Sequence, residues 1–259
     1  MQHQKHWAHG WRVECFDGPG QWGPSQDVSL YTVLAGGTIR LAAIDGITPV
    51  PATPRFGELD GATYAAQLIA TILHEERAIE DCLRSANEIL FDERLSPRSQ
   101  AQAAVIAADI TPAGAVHLVR AQDGEAWIED ERGRWASLFP RSHRPWARHA
   151  WADYLSTHPL QAAWPAWTIA EDAVWGDPEA WEHHSVGRVP RPRWGILDLA
   201  PGTWQTLLLA SDGLGTRSPW NRADLVMPPP DQHIPALLAQ IRDRAFAPID
   251  DTTALLIRR

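Results

Sequence analysis

Three acidic stretches of this 259-residue sequence share one local design. LAAIDG carries an apolar run into Asp45, LLLASDG carries another into Asp212, and IDDTTALLI opens a third after Asp250-Asp251. Each sets a carboxylate where a rigid strand meets a loop, which fixes its position better than a loop tip would. An ionised carboxylate beside so much apolar surface is costly unless something pairs with it. Three or more such acids converging would form an oxygen-rich cage for Mg2+ or Mn2+, hard cations that take carboxylates, carbonyls and water. Paired Cys/His spacing, which zinc would want, is absent. Asp-Gly is also a common turn dipeptide, and five such pairs occur, at 17, 45, 60, 123 and 212. Asp17-Gly18 and Asp60-Gly61 follow no evident apolar strand and read as a turn and a helix start.

The elements that would carry these acids are legible from hydrophobic spacing. VSLYTVL (28–34) and TIRLAAI (38–44) read as a hairpin joined at Gly36-Gly37. A helical stretch follows over 61–92, with Ala65, Leu68, Ile69, Ile72 and Leu73 on one face. It divides at the charged HEER, and Ile79, Leu83, Ala86, Ile89 and Leu90 continue it as a second helix. AAVIAADI (103–110) and GAVHLVRA (114–121) form another hairpin, leading through Asp123-Gly124 to a short strand, EAWI. Then come TLLLAS (206–211), a helix begun at Asp231 and a last strand, TALLI (253–257). Strands joined by short turns, with helices in blocks, give α+β with antiparallel sheets; a doubly wound parallel sheet would alternate βαβ. Nine of the fourteen Trp lie between 127 and 194, where periodicity is poor. The chain is therefore expected to be one domain, 1–259, with an irregular Trp-rich flap at about 129–195.

Composition narrows the partners. The 32 acids against 23 bases leave a net charge of −9, which argues against nucleic acid or an anionic membrane as the main partner. Cys15 and Cys82 are too few for a disulfide framework, so a reducing cytoplasm is expected. The N-terminus has no apolar leader-like run, and His3, His6 and His9 read as a frayed terminus rather than a metal site. Arg132, Arg134, Arg141, Arg144 and Arg148 interleave with Trp in ERGRWASLFPRSHRPWARHAW (131–151). They suit either a grip on a phosphorylated substrate or a solvated, Trp-packed lobe. Three weaker patterns are discounted. Gly213-Leu-Gly215 lacks the third Gly of a dinucleotide loop, His183-His184 are adjacent and point apart on a strand, and His74-Glu75-Glu76 lacks a second His.

Taken in order, LAAIDG, AQDGEAWI, LLLASDG and DDTTALLI resemble the metal-dependent serine/threonine protein phosphatases of type 2C over about residues 25–257. PSQDVSL, with Gln26-Asp27 where the family has Glu-Asp, is a weaker fifth piece. The resemblance implies a four-layer α-β-β-α sandwich, two antiparallel sheets flanked by helices with the metals at one edge. It implies that Asp45 bridges two Mn2+ or Mg2+ ions with the Gly46 carbonyl on one of them, and that Asp212 and Asp250 bind the other. Asp27 would be a nearby acid acting on water, and Asp123 would serve a looser third ion. Thr253 would orient its Asp neighbours, although β-propensity explains a Thr there equally well. The implied activity is hydrolysis of phosphoserine and phosphothreonine in proteins by an activated water.

The sequence departs from the family in its phosphate-handling parts. The family's phosphate-gripping Arg gives way to QWGPS (21–25), and Ile47-Thr48-Pro49 follows the first Asp-Gly where a Gly/His-rich tail is usual. Gln26 stands for Glu, RSQAQAAV (98–105) replaces a Gly-Ser-Thr signature, and QDGE replaces Gly-Asp-Ser-Arg. These departures keep two alternatives open: a catalytically weak binding or regulatory module on the same fold, and a hydrolase of small phosphorylated metabolites.

Overall fold

The computed structural model describes residues 2–19, 25–47, 56–95, 100–122, 124–139, 185–211, 230–243 and 251–259. Among them are eleven strands: β1 (Gln2–Ala8), β2 (Trp11–Gly18), β3 (Val28–Val33), β4 (Ile39–Gly46), β5 (Ala103–Ile110), β6 (Val116–Ala121), β7 (Glu125–Glu129), β8 (Trp135–Ser137), β9 (Gly195–Leu199), β10 (Thr206–Ala210) and β11 (Thr252–Arg258). The helices are α1 (Gly61–Leu73), α2 (Ile79–Leu90) and α3 (Pro230–Arg242). Sheet 1 runs β1-β2-β11-β10-β7-β8 and sheet 2 runs β3-β4-β5-β6-β9, with every neighbouring pair antiparallel.

Strand alternation explains the layering. Val13 and Cys15 of β2, Leu207 and Leu209 of β10, and Leu255 and Ile257 of β11 meet Ile39, Leu41 and Ala43 of β4 and Ile106 and Ala108 of β5 in one buried cluster between the sheets. The alternate residues face outward. Leu208, Ala210, Ala254 and Leu256 pack under Ile234, Leu237, Leu238 and Ile241 of α3, while Ala42, Ile44, Val105 and Ala107 pack under α1 and α2. Both faces of each central strand are buried, so these strands read as unbroken apolar runs rather than as alternating ones. The result is the expected α+β sandwich in four layers.

Turn chemistry closes the β3–β4 hairpin. Gly36 and Gly37 hold φ of 72° and 81°, a region open to Gly at little cost. The break between α1 and α2 at HEER has a different cause. Arg40, 1% exposed on β4, points into the helix layer. Its Nη1 donates to the carbonyls of Leu73 (3.1 Å) and Glu75 (3.0 Å), and its Nη2 donates to that of Arg77 (2.6 Å). Its Nε and Nη2 also hold Asp109 of β5, each at 2.7 Å. One guanidinium therefore terminates α1, shapes the connection and is neutralised by a neighbouring strand.

Four strands escaped the sequence reading. The expected frayed N-terminus is instead β1, paired residue for residue with β2. His3 stacks on Phe16 and His6 on Tyr31, both at 4.4 Å between ring centroids, and His3 Nε2 lies 3.1 Å from the buried Glu14 carboxylate. Apolar periodicity cannot register a strand held by imidazole stacking and an ion pair. β2 itself mixes Arg12, Glu14 and Asp17 among its apolar residues, and β8 and β9 are short edge strands. Of the flap anticipated at about 129–195, residues 140–184 lie outside the described residues. Among the described residues no helix is long and apolar enough to cross a membrane.

α2 is tied to the edge of sheet 2 by His117 of β6, whose Nδ1 lies 2.7 Å from Asp198 of β9 and whose Nε2 lies 3.1 Å from Glu80 of α2. Burial alone would lower this imidazole, but the Asp198 hydrogen bond and the Glu80 charge outweigh it and raise its pKa above the usual 6.5. A group with a raised folded pKa stabilises fully below its unfolded value and loses that contribution as pH rises through the folded one. Chemical denaturation of wild type and His117→Asn should therefore show a stability gap at pH 6 that narrows steadily towards pH 9. Arg40→Leu should cost about 3 kcal/mol in the same assay, because it strands a half-buried carboxylate and three carbonyls. Adding Asp109→Leu should recover part of that loss.

Candidate functional site

β4 lies between β3 and β5, so the penultimate residue of this Ile39–Gly46 strand is flanked on both sides at one edge of the sandwich. That residue is Asp45, half-buried and paired in register with Ala104. Val28 pairs with Ile44, which sets Asp27 immediately beyond the start of β3, beside Asp45. The third acid of this edge comes from the other sheet. Asp251 directly precedes β11, and its Oδ2 accepts a hydrogen bond from the Gln26 backbone N–H at 2.6 Å. The starts of β3 and β11 are thus joined across the two sheets.

Gly46 is required here by crowding rather than by its backbone angles. A Cβ at this position would lie 2.8 Å from the Ala62 carbonyl oxygen and 2.9 Å from that of Gln26. Two backbones therefore converge on the residue after Asp45, one from the acid-bearing segment and one from the first turn of α1. Asp60 fixes that first turn as its N-cap, its Oδ1 accepting from the Thr63 N–H at 2.8 Å. Its Oδ2 accepts from the Gln26 side-chain amide at 3.2 Å. Burial would raise the Asp60 carboxyl, but the Thr63 N–H and the Gln26 amide together hold it below its usual value.

Behind these acids lies Asp17, near the end of β2. Its Oδ2 accepts from the Ser29 hydroxyl at 2.9 Å and its Oδ1 from the Thr253 hydroxyl at 3.0 Å. Burial pushes its carboxyl up against the pull of both hydroxyls. Burial together with the Asp17 charge pushes the neighbouring Cys15 thiol up to about 12, which leaves it no nucleophilic role. The backbone of Thr253 exchanges hydrogen bonds with Ser211, which accepts at Oγ (3.0 Å) and donates from its own N–H (2.9 Å). The residue before Asp212 is thereby fixed beside β11.

Of the residues singled out in the sequence, Asp27, Asp45 and Gly46 are brought together. Asp123, Asp212 and Asp250 lie outside the described residues, and so do Arg141, Arg144, Arg148, His183-His184 and Gly213-Leu-Gly215. Among the described residues no group of three or more His, Cys, Asp or Glu could by itself hold a metal ion. The described half of the edge nevertheless suits a hard cation: carboxylates with a glycine left bare by two converging backbones, and no imidazole or thiol in the set. In the flap, Arg134 is engaged by Asp130 at 2.7 Å rather than reaching towards this edge. Asp251 and Asp17 are the additions. Of the Asp250-Asp251 pair the resemblance implies a role for Asp250 and none for Asp251, and Asp17 was read as a turn because the charged residues of β2 hid its strand. Asp60 does begin a helix.

No family model matches the sequence, and no curated protein is matched by it. Solved structures match over nearly the full length. The architecture is that of the type 2C serine/threonine phosphatases. Similar structures include RsbX in complex with magnesium (TM-score 0.58, 10% identity, 99% of each chain covered). They also include the serine/threonine phosphatase Stp1 from Staphylococcus aureus (TM-score 0.58, 14% identity, 100% of this chain and 98% of that one). A third is PppA, a regulatory component of T6SS in Pseudomonas aeruginosa (TM-score 0.57, 15% identity, 96% of this chain and 97% of that one). At these identities the likeness establishes the fold and leaves the chemistry to the residues themselves.

The Gln26–Asp60 contact makes a direct expectation. Gln26→Glu, which restores the acid usual in type 2C phosphatases, would set a second carboxylate against Asp60. It should lower stability by roughly 1 kcal/mol at pH 7.5, a penalty that fades near pH 4 as carboxylates take up protons. Denaturant midpoints at the two pH values read this directly.

Proposed function

We propose that the chain is a divalent-metal-dependent phosphatase acting on phosphoserine or phosphothreonine in proteins, as one domain over 1–259, in the cytoplasm. The observation that carries this reading is the meeting of Asp27, Asp45-Gly46 and Asp251 at one edge of a type 2C sandwich. The magnesium held by RsbX, which has the same fold, supports the choice of a hard cation.

In this reading Asp45, Gly46 through its carbonyl, Asp212 and Asp250 hold Mn2+ or Mg2+, and Asp123 serves a looser third site. Two such cations, when bound, lower the pKa of a water and neutralise the phosphoryl oxygens. Asp27 orients that water and takes its proton as the oxygen attacks phosphorus in line. The bond to the serine or threonine oxygen breaks, and solvent protonates the leaving alkoxide. Gly46, packed under Gln26 and Ala62, keeps the approach to Asp45 narrow and rigid. The Trp/Arg-rich segment of the flap supplies contacts to the substrate protein.

A second reading has its own support. The Gln26 amide is occupied by Asp60 rather than free for water, and the family's phosphate-gripping Arg has no counterpart in QWGPS. These features fit a binding or regulatory module that holds a metal and turns over slowly.

Mn2+-dependent hydrolysis of p-nitrophenyl phosphate and of a phosphothreonine peptide separates the two. The phosphatase reading expects turnover that EDTA abolishes and Mn2+ restores, and Asp45→Asn should lower the rate ~100-fold or more while the fold persists. Saturable Mn2+ binding with no turnover would select the binding module.

A further inference from the structure

The inward-facing rows of the strands are apolar until they reach one end of the sandwich. Trp11, Val13 and Cys15 of β2 lead to Asp17; Ile257 and Leu255 of β11 lead to Thr253; Tyr31 of β3 leads to Ser29. Two more rows end in the same way, with Ile39, Leu41 and Ala43 leading to Asp45, and Leu207 and Leu209 leading to Ser211. Thr253 and Ser211 are fully or almost fully buried, and Asp17 is half-buried. Burying hydroxyls and a carboxylate where an aliphatic side chain would pack more cheaply needs a reason.

The hydrogen bonds supply one. Ser29 belongs to sheet 2 and Thr253 to sheet 1, and both donate to the one Asp17 carboxylate, at 2.9 and 3.0 Å. Ser29 stands two residues beyond Asp27, and Thr253 stands two beyond Asp251. Asp27 and Asp251 each directly precede the strand that carries the hydroxyl, so the two hydroxyls stand next to the acids along their segments. The Gln26 N–H to Asp251 bond forms a second rung between the same two segments. We propose that Asp17 is a positioning residue: through Ser29 and Thr253 it sets the spacing between Asp27 and Asp251, and so the geometry in which the acidic edge receives its cations. The metal-related part of this role rests on the phosphatase reading above; the bracing of the two segments does not.

A carboxylate suits this position because it accepts on both oxygens at once. Asn keeps the shape but offers a donor on one side, opposing a hydroxyl that already donates. Thr253→Val removes one arm with little change of volume, and Thr253→Ser restores it. A merely structural Asp17 would affect stability alone, so two other readouts are needed.

Amide hydrogen exchange of metal-free protein reports on the Gln26 N–H, the rung nearest the brace. Calorimetric titration with Mn2+ alone reports on the edge. Asp17→Asn and Thr253→Val should each speed Gln26 exchange about tenfold relative to core amides of β5, and each should weaken Mn2+ binding about tenfold. Thr253→Ser should stay within about twofold of wild type in both. Unchanged Gln26 exchange in Asp17→Asn overturns the proposal, whatever happens to the metal. Faster exchange with unchanged Mn2+ affinity overturns its bearing on the cation site. Wild-type protein that takes up no Mn2+ removes the phosphatase reading, and the exchange data still decide whether Asp17 braces the two segments. Should Asp17→Asn prove too unstable to purify, the Thr253→Val and Thr253→Ser pair decides the same question.

Discussion

Two sheets packed face to face by aliphatic side chains are held about 10 Å apart by the volume of those side chains, and nothing in such packing fixes a particular pair of strand ends. This chain adds directional bonds at the end that carries the acids. Asp17 receives a hydroxyl from each sheet, Ser211 and Thr253 clasp one another across β10 and β11, and the Gln26 N–H reaches Asp251. Hydrogen bonds lose strength steeply with misalignment, whereas apolar contact does not. The end of the interlayer that carries the acids is therefore held by directional bonds, as is the opposite end, where the Trp204 indole N–H donates to the Gly114 carbonyl at 3.0 Å.

The same strand that ends in Asp45 carries Arg40 near its other end, on the opposite face. Arg40 binds Asp109 and three carbonyls around the α1–α2 connection, which anchors both helices on sheet 2. α1 then starts at Asp60, and its first turn abuts Gly46. β4 is thus clamped on its outer face by the helix layer and at its tip by the acid-bearing segment. Burying a guanidinium is expensive unless all its donors are used, and here the pairing with Asp109 and the carbonyls meets that requirement.

The fold was legible where both faces of a strand are buried, because such strands read as plain apolar runs: TIRLAAI, AAVIAADI, TLLLA and TALLI all fall where expected. It was illegible where polar groups hold a strand. β1 depends on His3 over Phe16 and on the Glu14 ion pair, and β2 carries Glu14 and Asp17 as parts of ionic and hydroxyl networks. Hydropathy counts those residues as loop. The candidate site divides in the same way. Asp45 stood out because an apolar strand delivers it, whereas the role of Asp251 emerges only from a backbone N–H that sits 225 positions earlier in the chain. Sequence spacing cannot express that contact.

The substitution of Gln for Glu at position 26 takes on a physical sense in this setting. A carboxylate at that side chain would face Asp60, whose own charge is already committed to capping α1. An amide instead donates to Asp60, so the helix cap and the acid-bearing segment stabilise one another. One negative charge is removed from an edge already bearing Asp27, Asp45 and Asp251, in a chain whose net charge is −9. Fewer fixed anions hold a divalent cation less tightly and repel a phosphate monoester less strongly. Under the phosphatase reading the amide would trade metal affinity against substrate approach, while the Gln26 N–H bond to Asp251 ties the two acid-bearing segments together.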